Sequence, residues 1–301
     1  MTESKKGNIF IILEMILWSL FPIISFLGLN GVPVFVSLFW VNIFAVLFFF
    51  SLVLLKDKLF ELKNKRVWVL TIGVVVFINV LFYGFYFLSL KYTTPANASI
   101  VSMFEIITSY IFFQIIKKEH FSKKHILGIC LAVIGALIVL LPKAGSINPG
   151  DYIMLLAVIF PPFGNWCQQQ IRKHVSSYTA LFLRHLLSIP FLILMTYIFN
   201  TSIFDFNISN VFWWLLLNGV LVFGLSKIFW LEAIHRMSVT KALAINGLNP
   251  IFTLFFAWLI LNQHPTLPQL FSLPFLLVAV YLLTDMSFLK NLLKYKYAEK
   301  I

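Results

Sequence analysis

The chain has 301 residues, of which 60% are hydrophobic and 11% charged, with a mean hydropathy of +0.94. Soluble domains carry about 25% charge, so this composition excludes a water-soluble globule and reads as an all-α integral membrane protein. The net charge of +12 does not signal a nucleic-acid partner, because the lysines and arginines cluster in short connections between apolar runs, as the positive-inside rule produces.

A membrane-crossing helix needs about 20 apolar residues, and ten candidate spans follow one another along the chain. Span 1 (8–27) follows Lys5 and Lys6; it is long enough to cross and no A-x-A-like cleavage site follows, so it reads as a helix and not a signal peptide. It carries Glu14, Trp18 and Ser25 to one side. Span 2 (33–55) is rich in phenylalanine and holds Trp40, Val41 and Asn42. Span 3 (67–90) places Asn79, Tyr83 and Tyr86 on one face. Span 4 (94–116) carries Ala98, Ser102, Glu105 and Ser109 at i, i+4, i+7 and i+11. Span 5 (123–141) has the small residues Gly128, Ala132 and Gly135. Span 6 (151–171) has Asn165, Trp166 and Gln169, and span 7 (177–199) has Arg184 and His185. Span 8 (211–234) has Lys227 and Trp230. Span 9 (239–261) has Ala242, Asn246, Asn249 and Thr253, and span 10 (266–286) has Ser272 and Ala279. Cys130 and Cys167 fall inside apolar runs as small hydrophobes and give no disulfide framework.

Nineteen lysines and arginines fall on the N-terminal side of this topology and two, Lys91 and Lys143, on the other. That asymmetry predicts both termini in the cytoplasm, in a plasma membrane or, for a bacterium, the inner membrane. A shift of 144 residues lays Phe85 on Phe229, Leu90 on Ile234 and Ala98 on Ala242. Each half then holds five spans, an odd number, so the halves run oppositely through the bilayer, as in many secondary transporters. The predicted fold is ten transmembrane helices arranged as two inverted five-helix repeats around a central cavity. The halves are 1–143 and 144–290, followed by a cytoplasmic tail at 291–301.

The polar stripes lie deep. Glu105 stands about 16 Å along its helix, near the midplane of an ~30 Å hydrocarbon core. A charge there costs roughly 2.5–3.5 kcal/mol on insertion scales, and snorkelling cannot reach water, so Glu105 is expected to line a pathway. Asn79, Ser102 and Asn246 serve either as interhelical hydrogen bonds or as substrate contacts. Trp18, Tyr83, Tyr86, Trp166 and Trp230 are packing aromatics or cavity walls. Glu14, Arg184, Lys227 and Glu232 stand nearer the cytoplasmic ends, where they snorkel or pair. Spans 5 and 10 read as structural support and as the face of a homodimer. The sequence contains no G-x-x-x-x-G-K-[ST], H-E-x-x-H or G-x-S-x-G pattern and no Cys/His cluster, so no cofactor or metal is expected.

FLSLKYTTPANASIVSMFEIITSYIFFQIIKKEHFSKKHILGICLAVIGALIVL (87–140) and WLEAIHRMSVTKALAINGLNPIFTLFFAWLIL (230–261) resemble the EamA type of the drug/metabolite transporter superfamily. The shared pattern is a small-hydrophobic-Lys-Tyr helix end, a small-residue helix, a glutamate at a helix exit (Glu119) and a Gly-spaced last helix, with Pro250 kept in the second copy. Gln263 stands where the second helix-exit glutamate is expected, and Ile106 where the first copy would have proline. The resemblance implies a ten-helix basket with a cavity bounded by spans 1, 3, 4, 6, 8 and 9. Members of the family are mostly exporters of amino acids and related metabolites.

The expected function is therefore a secondary transporter, an exporter, of small polar metabolites such as amino acids or derivatives, coupled to a proton or counter-substrate. Glu105 would bind an ammonium group or carry the proton, and Lys227 or Arg184 would bind a carboxylate. Asn79, Asn246 and Asn249 would hydrogen-bond the substrate, and Trp18, Tyr83, Tyr86 and Trp230 would wall it. One alternative is an importer or exchanger of a nucleotide-linked metabolite such as S-adenosylmethionine. Another, of a different class, is an intramembrane lipid-modifying enzyme; His120, His125, His174 and His185 stand at or near the cytoplasmic side for it, but none sits in an acid/base motif.

Overall fold

The computed structural model describes residues 3–117, 122–140, 148–203 and 206–283. Glu119, His120, Lys143 and the 291–301 tail lie outside the described residues. The described chain is helical throughout its regular structure, with no strand among those residues. Seven segments are long and apolar enough to cross a bilayer: Lys5–Leu27, Val34–Leu55, Lys65–Leu90, Pro95–Ile116, Ser177–Ile198, Phe212–Arg236 and Val239–Leu261. The other three spans are Lys123–Leu140, the pair Pro149–Ala157 and Pro161–Ile171, and Leu267–Leu283.

Span starts follow local chemistry. The hydroxyls of Thr94, Ser176 and Ser238 accept from the backbone N–H three residues on, at Asn97, Thr179 and Lys241. Each N-cap satisfies an amide that the first turn would leave without a partner. Pro95 follows its cap at the first helical position, where a missing N–H costs nothing.

Spans of two kinds build the molecule. Spans 2 and 7 are unbroken 22-residue helices lying against each other. Spans 5 and 10 form a second supporting pair. There the small-residue stripe of span 5 is used within the chain: a Cβ on Gly135 would stand 3.3 Å from the Ser272 carbonyl oxygen and 3.0 Å from Leu276 Cδ2.

The remaining six are irregular. Span 1 breaks at Ser19–Leu20, span 4 at Ser102–Met103, span 6 between Ala157 and Pro161, and span 9 at Gly247–Leu248. Spans 3 and 8 widen into π-helix over Val75–Phe82 and Asn218–Ser226. Shifting 75–82 by 144 gives 219–226, nearly the second π segment, and the same shift carries the span 4 break to within one residue of that in span 9. The two halves therefore repeat in backbone irregularity as well as in hydropathy. Lipid cannot satisfy a freed backbone group, so interrupted helices are tolerated at membrane depth only where protein or a cavity covers them. The six irregular spans accordingly sit inside.

Candidate functional site: a charged cavity at the helix breaks

The six irregular spans line a cavity. Four of its lining residues stand at or beside the breaks and π segments. Trp18 is the last residue before the break in span 1, and Glu105 is the second residue after the break in span 4. Lys227 follows the π segment of span 8, and Asn246 ends the first half of span 9. Glu14, Tyr83 and Trp230 join them, with Arg184 entering from span 7. Asn165, Gln168 and Pro161 come from the second half of span 6, and Ile78, Phe82 and Leu243 complete the apolar wall.

Two acids and two bases meet here, and they are not equivalent. Glu14 is fully buried, and its Oε1 accepts from Lys227 Nζ at 2.9 Å. Its Oε2 accepts from Asn246 Nδ2 at 2.7 Å. The same ammonium stands 3.2 Å from the Trp18 ring centroid and 5.9 Å from that of Trp230. Lys227 is therefore a desolvated charge already neutralised by a carboxylate and two ring faces.

Arg184 is different. It is 2% exposed. Its Nε donates to Asn79 Oδ1 at 2.6 Å and its Nη1 to Gln168 Oε1 at 3.2 Å. Its guanidinium carbon stands 5.3 Å from the Tyr83 ring. Nη2 is buried without a hydrogen-bond partner, and no carboxylate among the described residues pairs with the guanidinium. From Gln168 the contacts continue: Gln168 Nε2 donates to Asn165 Oδ1 at 3.0 Å, and Asn165 Nδ2 to Glu105 Oε1 at 3.3 Å. Two neutral amides thus bridge an unpaired cation and an acid held by one long hydrogen bond.

Five sequence candidates stand outside the cavity lining. Asn79 lies behind Arg184, and Tyr86 packs on Phe21 with ring centroids 4.6 Å apart. The Ser102 hydroxyl turns back to the Ser99 carbonyl at 2.7 Å. Asn249 is buried beyond the break in span 9, and Trp166 packs against the apolar core. Asn165 and Gln168 share a helical face at i, i+3, whereas Asn165 and Trp166 point about 100° apart; the sequence pattern held that distinction. Glu14, Arg184 and Lys227 do not snorkel. All three are buried at the cavity, where each finds protein partners. His185 is not near a surface either: it is fully buried, its Nδ1 lies 2.7 Å from Asn42 Oδ1, and its ring stacks on Phe49. No group of three or more His, Cys, Asp or Glu that could hold a metal occurs among the described residues.

Polar contacts join the spans on both sides of the cavity. At the end carrying the chain start, Glu232 accepts from Arg172 Nη2 at 2.8 Å and from Ser177 Oγ at 2.5 Å, and also pairs with Arg236. Arg236 Nε reaches Glu3 at 2.9 Å. Glu61, beyond span 2, caps span 7 by accepting from the Ser176 N–H at 2.8 Å and its hydroxyl at 2.7 Å. Burial raises the Glu61 pKa, but the hydrogen bonds from Thr179 and Ser176 and the charge of Lys58 outweigh it, leaving the acid below its ordinary value. Burial also lowers the Arg172 pKa, opposed by Glu232. At the far end Thr93 Oγ1 donates to Asp151 at 2.5 Å, Gln269 to Asn97 at 2.8 Å, and Ser99 to Thr253 at 3.1 Å. Gly150 is required there, since a Cβ would lie 2.6 Å from the Ser89 carbonyl oxygen.

The sequence profile of the EamA-like transporter family matches residues 5–141 and 148–285, one match per half. The chain belongs to the EamA-like transporter family. It is a multi-pass membrane transporter built of two five-helix repeats. It is 31% identical over 100 residues to "Uncharacterized transporter YyaM" of Bacillus subtilis (strain 168), a match spanning 31% of this chain and 32% of that relative. It is 26% identical over 223 residues to an "Uncharacterized transporter" of Archaeoglobus fulgidus, covering 71% of this chain and 67% of the relative. A solved crystal structure superposes with a TM-score of 0.72 over 93% of this chain and 97% of its own, at 15% identity, a likeness of fold alone.

Proposed function

We propose that this EamA-like transporter is an alternating-access exporter of small zwitterionic metabolites, amino acids or their derivatives, driven by exchange against protons or a counter-substrate. It works with both termini in the cytoplasm of a plasma membrane, the inner membrane in a bacterium. The observation that supports the substrate class is the state of Arg184: a cavity-lining residue whose buried guanidinium has no hydrogen-bond partner on Nη2 and only neutral oxygens on Nε and Nη1. A buried cation is stabilised by an anion with good hydrogen-bond geometry, and a substrate carboxylate supplies one. Lys227 is less suited to that role because Glu14 already holds it. Glu105 takes the substrate ammonium in place of the 3.3 Å bond from Asn165. Trp18, Tyr83, Phe82 and Trp230 face the side chain.

Access from the cytoplasm requires the Glu232–Arg172–Arg236 cluster to part. The helix Pro161–Ile171 links the two places, since it carries Asn165 and Gln168 at the cavity and leads into Arg172 at the rim. Pro161 and Pro162 at its start leave the preceding break without two amide donors, a natural hinge.

The test is counterflow of radiolabelled amino acids in proteoliposomes, with Glu105→Gln and Arg184→Gln reconstituted at equal density. The expected result is uptake by the wild type and at least severalfold less by each variant. Full transport by both variants refutes the assignment, and counterflow of S-adenosylmethionine in place of amino acids transfers it to a nucleotide-linked metabolite.

A further inference from the structure

Behind Arg184 lies a chain of amides that the cavity itself does not include. Asn42 in span 2 is fully buried, and its Nδ2 donates to the Leu38 carbonyl at 2.8 Å, which fixes which end of this amide is oxygen. That oxygen accepts from Asn79 Nδ2 at 2.9 Å and lies 2.7 Å from His185 Nδ1; the one Ser188 hydroxyl hydrogen is shared between it, at 3.0 Å, and the His185 carbonyl, at 2.7 Å. Asn79, also fully buried and in the π segment of span 3, must then turn its own oxygen to Arg184 Nε, at 2.6 Å. The order Asn42–Asn79–Arg184 is directional, and both amides are neutral. The chain holds the guanidinium by Nε, leaves Nη2 without a partner, and supplies no negative charge to cancel the cation.

We infer that Asn79, backed by Asn42, is a positioning residue that fixes Arg184 by hydrogen bonding while keeping it unneutralised, and thereby makes the cavity select substrates bearing a carboxylate. An aspartate at 79 has the same shape and accepts the same Nε hydrogen, but it gives up the donor to Asn42 Oδ1 and pairs the guanidinium internally. This inference rests on the proposed zwitterionic substrate and assigns a residue that does not touch it.

The experiment compares matched ligands that differ by one carboxylate: L-leucine with isoamylamine, and L-phenylalanine with phenethylamine. Binding to the detergent-solubilised full chain is read from the concentration dependence of its thermal midpoint, since a ligand of the folded state raises that midpoint by mass action. Asn79→Asp should weaken the amino acid about tenfold or more relative to wild type, while the paired amine binds as well as or better than before. Asn42→Ser, which removes the acceptor that orients Asn79 without adding charge, should weaken the amino acid severalfold and leave the amine unchanged. It also serves should Asn79→Asp fail to fold. Loss of carboxylate preference in Arg184→Gln, with both asparagine variants keeping the wild-type ratio of acid to amine, overturns the positioning role alone. Wild-type preference retained in Arg184→Gln, or no wild-type shift with either amino acid, removes the substrate reading beneath it and this inference with it.

Discussion

Replacing Lys227 with methionine should reveal how strongly the Glu14–Lys227 pair braces the centre of the molecule. Glu14 has no exposed surface, and Lys227 is 6% exposed. Removing the ammonium strands a carboxylate whose Oε1 then keeps only a distant Ser226 hydroxyl at 3.5 Å, although Asn246 still serves Oε2. Breaking one side of a buried ion pair costs about 3–5 kcal/mol, whereas replacing both sides by neutral groups of similar volume is often nearly neutral. At about 2.1 cal/mol/K of unfolding entropy per residue, a 1 kcal/mol loss lowers the midpoint of this 301-residue chain by about 1.6 °C. Lys227→Met should therefore unfold roughly 5–8 °C below wild type, and Glu14→Gln/Lys227→Met should recover most of that difference. Fluorescence-detected size exclusion after heating in mild detergent measures all three. A single variant as stable as wild type, or a double variant less stable than Lys227→Met, would refute the reasoning.

The rim offers two further predictions. Glu232→Gln removes the charge and one of the two acceptor oxygens that Arg172, Ser177 and Arg236 share, so the end of span 6 should open more often; in a Cys130→Ser background, maleimide should then label the buried Cys167 of that half-helix several times faster, and an unchanged rate argues that the cluster is no latch. Glu61 has its folded pKa held below the ordinary 4.5, so its contribution is present above that value and is lost as pH falls through the folded pKa. Wild type should be more stable than Glu61→Gln at pH 7, with the two midpoints converging as the pH falls through the lowered folded pKa; a constant gap would show that the span 7 cap does not depend on that charge.

Much of the architecture is written in local composition. Apolar runs of about 20 residues, separated by basic connections, mark ten spans because a bilayer demands both length and internally satisfied backbone. Glu105 was legible as a cavity-lining residue because its cost in lipid has no local remedy. The 144-residue repeat was legible because Phe85, Leu90 and Ala98 find counterparts in matching environments.

The site itself needed three dimensions. A stripe extrapolated at 3.6 residues per turn joins Ser102, Glu105, Asn246 and Asn249, but the breaks at Ser102–Met103 and Gly247–Leu248 change its phase, keeping Glu105 and Asn246 at the cavity and leaving Ser102 and Asn249 outside. The π segments do the same to spans 3 and 8, since an inserted turn of different pitch redirects every later side chain. The sequence also presents Lys227 and Arg184 as equal cations. Only the folded chain distinguishes them, because neutralisation depends on which side chains arrive from other helices: Glu14, 213 positions before Lys227, for one, and the amides of Asn79 and Gln168 for the other. Hydropathy is a property of each segment and survives in the linear code; the pairing of buried charges is a property of helices meeting, and tertiary structure alone decides it.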